Sequence, residues 1–197
     1  TAVAALNRLQ VKGRAAKTGY TREQFGQAWS DIDRNGCDQR NDILARDMTN
    51  TKLKQGSKCI VASGTLHDPY TGKTIAFTRG QGTSEAVQID HLVALSNAWQ
   101  TGAQQLPADQ RKLLGNDPLN LMAVDGPTNQ SKGDADAASW LPPVKAIRCQ
   151  YVARQVAVKQ RYKLWVTSGE KAAMLNVLDT CPAEPLPTSP EPPGLAR

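Results

Sequence analysis

The chain has 197 residues, of which 40% are hydrophobic and 21% are charged. This length is enough to bury a real core. The composition is that of a globular protein rather than a disordered or membrane one, since no apolar run approaches the roughly 20 residues of a membrane span. The formal net charge of +6 favours polyanionic partners. Lysine and arginine are scattered along the chain, so charge alone does not identify nucleic acid.

The N-terminal segment predicts short helices separated by a polar loop. Leu6–Val11 has helical apolar spacing. Thr21 and Gln24 have the spacing of a capping box, which predicts a helix from Thr21 to near Ser30. Residues 31–38 contain an Asn-Gly turn, and the apolar residues after them predict a further helix.

Residues 57–78 change to a β pattern. Two β-forming stretches, 59–64 and 73–77, flank the turn-forming segment 68–72. This arrangement predicts a hairpin.

A strand, a second strand and a helix are predicted next, in that order. Val87–Leu95 predicts a strand that leads into a loop or helix, and Leu119–Val124 predicts the second strand. Gly126 and Pro127 predict the start of the helix, because proline is favoured in the first helical turn.

The C-terminal part predicts two helices and a proline-rich tail. Residues 144–166 have helical apolar spacing, and Thr167 with Glu170 forms a capping box for the last helix. Proline recurs throughout residues 182–197, which we expect to be extended or disordered.

Four widely spaced cysteines predict two disulfides, because short C-x-x-C spacing is absent. Three pairings are possible, and Cys37–Cys59 with Cys149–Cys181 closes the shortest loops. Disulfides persist in oxidising compartments, so we expect a secreted, extracellular protein. No signal peptide precedes Thr1, which predicts a mature or trimmed form.

The first predicted strand carries an Asp-His pair, Asp90 and His91, in an otherwise apolar run. Buried polar groups need partners, so a histidine at the edge of the core and satisfied by its neighbour is the simplest interpretation. Downstream, however, Asn120 lies at the second strand, and Asn129 and Lys132 lie in the predicted helix.

This order of residues resembles the motif of HNH nucleases, in particular secreted actinobacterial ones with Asp-His and a final Asn. Segments 19–26, 31–38, 96–103 and 139–143 resemble further landmarks of that family, so the resemblance covers roughly residues 6–181. It implies an α+β fold with a ββα-metal core at about residues 86–140, surrounding helices, a β-hairpin and two disulfides. Residues 1–181 would form one domain, followed by the tail.

The resemblance also implies a role for each residue. His91 would be the general base that activates water, and Asp90 and Asn129 would bind one divalent metal ion, Mg²⁺ or Mn²⁺. Asn120 would hold the backbone near His91. Lys132 would lie one helical turn after Asn129 and hold a phosphate oxygen, or else be a solvated surface lysine.

The implied function is extracellular endonuclease activity on DNA, and on RNA as well, with little sequence preference, by a monomer without membrane contact. The alternative is a secreted nucleic-acid-binding or calcium-stabilised protein without turnover. Adjacent strand residues point to opposite faces, so the strand should bulge, twist or end at Asp90 and His91 if both serve one site.

Other polar residues carry weaker expectations. Asp31, Asp33, Asn35 and Asp42 nearly fit a calcium-binding loop. The alternative is a disulfide-anchored loop in which Asp31, Asp33, Asp38 and Arg40 form hydrogen bonds. Glu85 is a candidate for a supporting contact to the site. His67 is expected in an exposed turn.

The tryptophans and several basic residues complete the expectations. Trp29, Trp99, Trp140 and Trp165 are interpreted as core residues rather than base-stacking platforms. The candidates for a nucleic-acid backbone surface are Arg79, Arg111, Lys112 and Lys145.

Overall fold

The computed structural model describes residues 1–195, and Ala196 and Arg197 of the expected tail lie outside the described residues. Within the described residues the helices are α1 (Ala2–Arg8), α2 (Gln39–Asp47), α3 (Leu95–Gln100), α4 (Ala108–Asn116), α5 (Gly126–Lys132), α6 (Arg148–Arg161) and α7 (Ser168–Leu178). The strands are β1 (Met48–Leu53), β2 (Val61–His67), β3 (Thr74–Thr78), β4 (Val87–His91) and β5 (Leu121–Asp125). None of the described helices has the length and apolar character that a membrane span needs.

Strands β4 and β5 and helix α5 form a ββα unit in the predicted order. The two strands are antiparallel, with Val87 opposite Asp125 and His91 opposite Leu121. Helix α5 follows β5 directly, since the Asp125 side chain accepts a hydrogen bond from the Thr128 amide at 2.9 Å and so caps the helix. This direct junction fixes the helix against the strand pair.

The predicted hairpin is strands β2 and β3, joined by a turn at residues 68–73. Strand β1 adds a third antiparallel strand on the other edge of β2. Helix α2 packs between this sheet and the ββα unit, where Ile43 and Leu44 join a core that also contains Phe77 and Leu121. Hydrophobic burial therefore links the hairpin to the strand pair.

Helix α6 lies behind the ββα unit and fixes the loops at its strand ends. The Gln155 side chain donates to the Leu92 carbonyl at 2.7 Å, just after β4. The Arg154 guanidinium donates to the carbonyls of Leu119 and Leu121 at 2.9 Å, at the start of β5. These bonds occupy carbonyls that strand pairing leaves open.

A buried ion pair joins α6 to α7. The Lys159 ammonium lies 3.0 Å from a carboxylate oxygen of Glu170, and both side chains are almost fully buried. Glu170 also completes the predicted capping box with Thr167 at the start of α7. One carboxylate therefore caps a helix and compensates a buried charge.

Two predicted N-terminal helices were placed wrongly. The first, α1, begins at Ala2 and ends at Arg8, whereas Val11 pairs with Val166 in an isolated parallel bridge. The helix expected from Thr21 is a single 3₁₀ turn, Arg22–Phe25, because Gly26 adopts a φ of 72° and ends it.

The disulfides are Cys37–Cys59 and Cys149–Cys181, as chosen from the shortest loops. The first joins the loop before α2 to the start of β2, and the second joins α6 to the end of α7. Residues 182–195 have no helix or strand. They contact the domain at several points, including a 2.6 Å bond from Arg161 to the Ser189 carbonyl.

Gly126 is sterically required at the start of α5. A β-carbon there would lie 2.0 Å from the Glu85 carbonyl oxygen, a backbone atom that cannot turn away. We expect Gly126→Ala to lower the free energy of unfolding by about 1–3 kcal/mol or more, as overpacking does. Gly13→Ala is the control, since nothing lies within 4 Å of its β-carbon position. Equal midpoints for the two variants in urea unfolding would contradict this steric argument.

Candidate active site

Asp90 is buried at the junction of β4, α5 and the β2–β3 turn, with 5% of its surface exposed. The Lys132 ammonium donates to its Oδ1 at 2.7 Å and to its Oδ2 at 2.8 Å. The Tyr70 hydroxyl, brought in by the hairpin turn, also donates to Oδ2. Oδ2 therefore accepts two hydrogen bonds and Oδ1 accepts one, which leaves a lone pair on Oδ1.

The structure places Lys132 in the interior, and not on a surface that faces phosphate or solvent as the sequence suggested. Its side chain is 0% exposed and forms an ion pair with Asp90. The ammonium also donates to the His91 carbonyl at 2.6 Å. An ammonium has three N–H donors, and Asp90 and His91 engage all of them.

His91 lies on the opposite side of β4 and is 8% exposed. Its Nε2 is 2.8 Å from the Gly115 carbonyl oxygen, which only accepts, so Nε2 carries the proton and Nδ1 has a free lone pair. Burial lowers the pKa of His91 to about 4, despite opposing contributions from the Gly115 carbonyl and Asp90. The imidazole is therefore neutral near pH 7.

Asn120 is fully buried just before β5 and binds the loop that follows His91. Its Oδ1 accepts from the Val93 amide at 2.8 Å, and its Nδ2 donates to the Val93 carbonyl at 3.3 Å. The Asn120 carbonyl also accepts from the Leu92 amide at 2.8 Å. Both polar groups of one side chain thus hold the backbone two residues beyond the histidine.

Asn129 lies on the first turns of α5, and its Nδ2 donates to Gln88 Oε1 at 2.9 Å. Gln88 and Asp90 are two residues apart on β4 and so share one face of the strand. Asn129, Gln88, Asp90 and His91 line a cavity of about 490 Å³, called here the Asp90 cavity. The exposed Glu85 lines the same cavity, as the sequence allowed.

Strand β4 reaches one cavity with two adjacent residues because it ends at His91. The register with β5 is regular up to that residue, without a bulge. Residues 92 and 93 then leave the strand direction, where Asn120 binds them. The end of the strand is one of the departures from straight geometry that the sequence argument required.

Trp29, predicted from the sequence as a core residue, packs against the core that contains Phe77 and Leu121 and also borders His91. It is half-buried, and its ring stacks on the His91 imidazole with centroids 6.1 Å apart and planes 19° from parallel. It lines the Asp90 cavity and a second cavity of about 380 Å³ beside Phe25. Its φ of 60° is unusual for a bulky residue, a strain that is commoner at functional sites than elsewhere.

The expected calcium loop is held by its own hydrogen bonds. Asp31 accepts from the backbone amides of Asn35 and Gly36, and the Asn35 side chain donates to Asp33 and Asp42. Within residues 1–195, no three of its carboxylates converge as metal ligands would. This resembles the hydrogen-bonded alternative weighed from the sequence, except that Arg40, expected to take part in it, forms no hydrogen bond with any described residue. His67, at the end of β2, is exposed and contacts Thr74.

Two of the arginines proposed for the nucleic-acid surface are already bonded to the protein. The Arg79 guanidinium donates to the Val61 carbonyl and to the Asn41 side chain. The Arg111 guanidinium donates to the Gln24 carbonyl and side chain. Neither arginine lines the Asp90 cavity.

Residues 38–177, more than half of the chain, match the family model of the C-terminal domain of GmrSD restriction endonucleases. The chain belongs to this family. A relative of this GmrSD-type domain, an uncharacterized secreted protein of Arthroderma benhamiae, is 39% identical over 183 residues, 92% of this chain and 85% of that protein. No solved structure matches the chain.

The family is one of nuclease-like domains, which agrees at this level with the HNH resemblance and with the α+β fold. The GmrSD-type match covers the whole ββα unit, both sheets and most of the backing helices. Two disulfides and a secreted relative over most of the length make this chain a secreted, extracellular protein.

The buried Lys132–Asp90 pair gives a stability prediction. Lys132→Met leaves the Asp90 carboxylate buried without its cation, so we expect a loss of about 3–5 kcal/mol in unfolding free energy, measured in urea. Lys17→Met is the matched control, because its pair with Asp134 is more than half exposed and contributes at most about 1 kcal/mol.

A double variant separates charge from packing. Adding Asp90→Asn to Lys132→Met removes both charges while an amide oxygen still accepts from Tyr70, so part of the lost stability should return. If Lys132→Met were no less stable than Lys17→Met, the ion pair would not support the site.

Proposed function

We propose that this protein is a secreted, metal-dependent endonuclease that hydrolyses phosphodiester bonds in DNA, and also in RNA, with little sequence preference. The observation that carries the proposal is His91 at the end of β4. It is a neutral imidazole with a free Nδ1, beside a cavity that also holds the Asp90 carboxylate and the Asn129 amide. Membership of a restriction endonuclease domain family supports the same reaction class.

His91 acts as the general base in this proposal. The Gly115 carbonyl holds the proton on Nε2, so Nδ1 takes a proton from the attacking water. Trp29 limits rotation of the ring from one face, and Asn120 fixes the backbone that follows. Fixing the base before substrate arrives lowers the entropic cost of the reactive geometry.

The oxygen donors around the Asp90 cavity fit one hard divalent cation, Mg²⁺ or Mn²⁺. Asp90 Oδ1 retains a lone pair, and no described residue donates to Asn129 Oδ1. Few protein ligands converge there, which suits Mg²⁺, since it keeps several waters. When bound, the ion stabilises charge on the phosphate and on the leaving oxygen. Lys132 and Tyr70 hold the carboxylate in place for it.

Broad substrate use follows from the elements that surround the reacting groups. A site that contacts phosphate and sugar reads little sequence. The described residues of the Asp90 cavity lie on β4, α5, the first turns of α2 and α3 and nearby loops, and none of these elements is a helix or ribbon shaped for a DNA groove. We propose a monomer, in which the loop of residues 31–42 is braced by its own hydrogen bonds.

The catalytic assignment is tested by nicking of supercoiled plasmid. The wild-type chain should cut with Mg²⁺ or Mn²⁺ and not with chelator, and His91→Ala should lower the rate by about 10²–10⁴-fold, the usual contribution of a general base. His67→Ala should cut at the wild-type rate, because that exposed imidazole is remote from the cavity lining. Full activity of His91→Ala would refute the mechanism. Absence of cleavage with every metal would favour a binding protein without turnover.

The metal assignment is tested by binding rather than rate. Calorimetric titration of Mn²⁺ should show one site, and Asn129→Ala should weaken it by about tenfold or more. Asn7→Ala is the matched amide control, since Asn7 is exposed on α1. Equal Mn²⁺ affinity in all three proteins would remove Asn129 from the ligand set.

A further inference from the structure

Arg40 differs from the other half-buried arginines of the chain. It lies in the first turn of α2 and forms no hydrogen bond or ion pair with any described residue. Each of the other half-buried arginines donates to a protein oxygen; these are Arg79, Arg111, Arg148, Arg154 and Arg161. A partly buried cation without a partner is costly, so it calls for an anion from outside the protein.

The charges near Arg40 do not supply that anion. Burial lowers the pKa of its guanidinium, and repulsion from Arg79 lowers it further, against a smaller effect of Asp38. The Asp38 carboxylate is occupied by the Asn41 amide and side chain at the start of α2. Arg40 therefore remains an under-compensated cation in the unliganded protein.

The position of Arg40 identifies the kind of anion. Arg40 lines the Asp90 cavity together with Asp90, His91 and Asn129, and Arg22 lines the same cavity. Arg22 is exposed and has no hydrogen bond or ion pair among the described residues. Two guanidinium groups thus share a cavity with the proposed base.

We propose that Arg40 and Arg22 form a binding site for backbone phosphates of nucleic acid that flank the bond to be cut. This inference rests on the proposed function for its substrate class. A guanidinium presents a planar fork of donors that matches phosphate oxygens, and it stays charged even when partly buried. Arg40 is the stronger contact because it is already partly desolvated and held on a helix.

The test is a binding measurement that needs no catalysis. A short fluorescein-labelled DNA duplex is titrated with the His91→Ala protein in chelator, and its anisotropy is followed over a range of salt concentrations. Adding Arg40→Gln should weaken binding by about tenfold or more and lower the slope of log affinity against log salt by about one. Arg22→Gln should lower the slope similarly with a smaller loss of affinity.

Matched variants make the result specific. Arg8→Gln removes the same charge from the exposed end of α1, outside the cavity, and should leave affinity and slope near those of the His91→Ala protein. Arg40→Lys should keep most of the salt slope and lose part of the affinity, because it retains the charge without the fork.

The outcomes separate this inference from the proposed function. If Arg40→Gln binds DNA as tightly as Arg8→Gln, or if the His91→Ala protein binds no DNA, the phosphate site is overturned. A second outcome uses proteins with His91 intact. If the wild-type protein cuts plasmid and the Arg40→Gln variant cuts it with the same KM, the nuclease proposal stands and the phosphate site fails. If DNA binds through Arg40 and is never cut, the phosphate site stands and the nuclease proposal fails.

Discussion

The ion pair between Lys132 and Asp90 is the contact around which the rest of the site is arranged. Both groups lie out of water, so neither can exchange its partner for solvent without a large cost. Because Asp90 is on β4 and Lys132 is at the end of α5, the pair joins the strand to the helix in the interior of the ββα unit. Tyr70 adds the hairpin turn to the same carboxylate, so three segments far apart in sequence meet at one buried charge.

In this arrangement the last two residues of β4 point to opposite sides of the strand, and each has a separate set of partners. Asp90 points toward the ion pair, whereas His91 points toward Gly115 and Trp29, and the end of the strand lets both reach one cavity. Helix α6 and the turn before β5 fix the loop after β4 rather than the catalytic side chains themselves. Gln155 binds the Leu92 carbonyl and Asn120 binds the Val93 amide, so the orientation of the His91 imidazole depends on the position of the backbone that follows it. A rigid frame of this kind is what a small catalytic unit requires.

Local patterns predicted the ββα order, the hairpin, both disulfides and the capping of α7. Other features depended on contacts that local patterns do not encode. Spacing placed Lys132 on the same helix face as Asn129 but could not tell that the lysine is buried while Asn129 reaches the cavity. Strand β1 was missed because it is an edge strand with only Met48 buried, so it lacks the alternation of a half-buried strand. Trp29 reached the site through a left-handed backbone that its sequence does not signal.

The Cys37–Cys59 disulfide bonds the loop before α2 to the start of β2, close in sequence to Arg40. A cross-link over a loop of this length stabilises a fold by about 3 kcal/mol in the chain-entropy model. In a reducing compartment that contribution is lost, while the hydrogen bonds of the first turn of α2, from the Asn41 amide to Asp38 and from the Gln39 amide to the Trp29 carbonyl, remain. The disulfide therefore adds stability beside Arg40 and the Asp90 cavity only in an oxidising compartment, which is where a secreted protein is found.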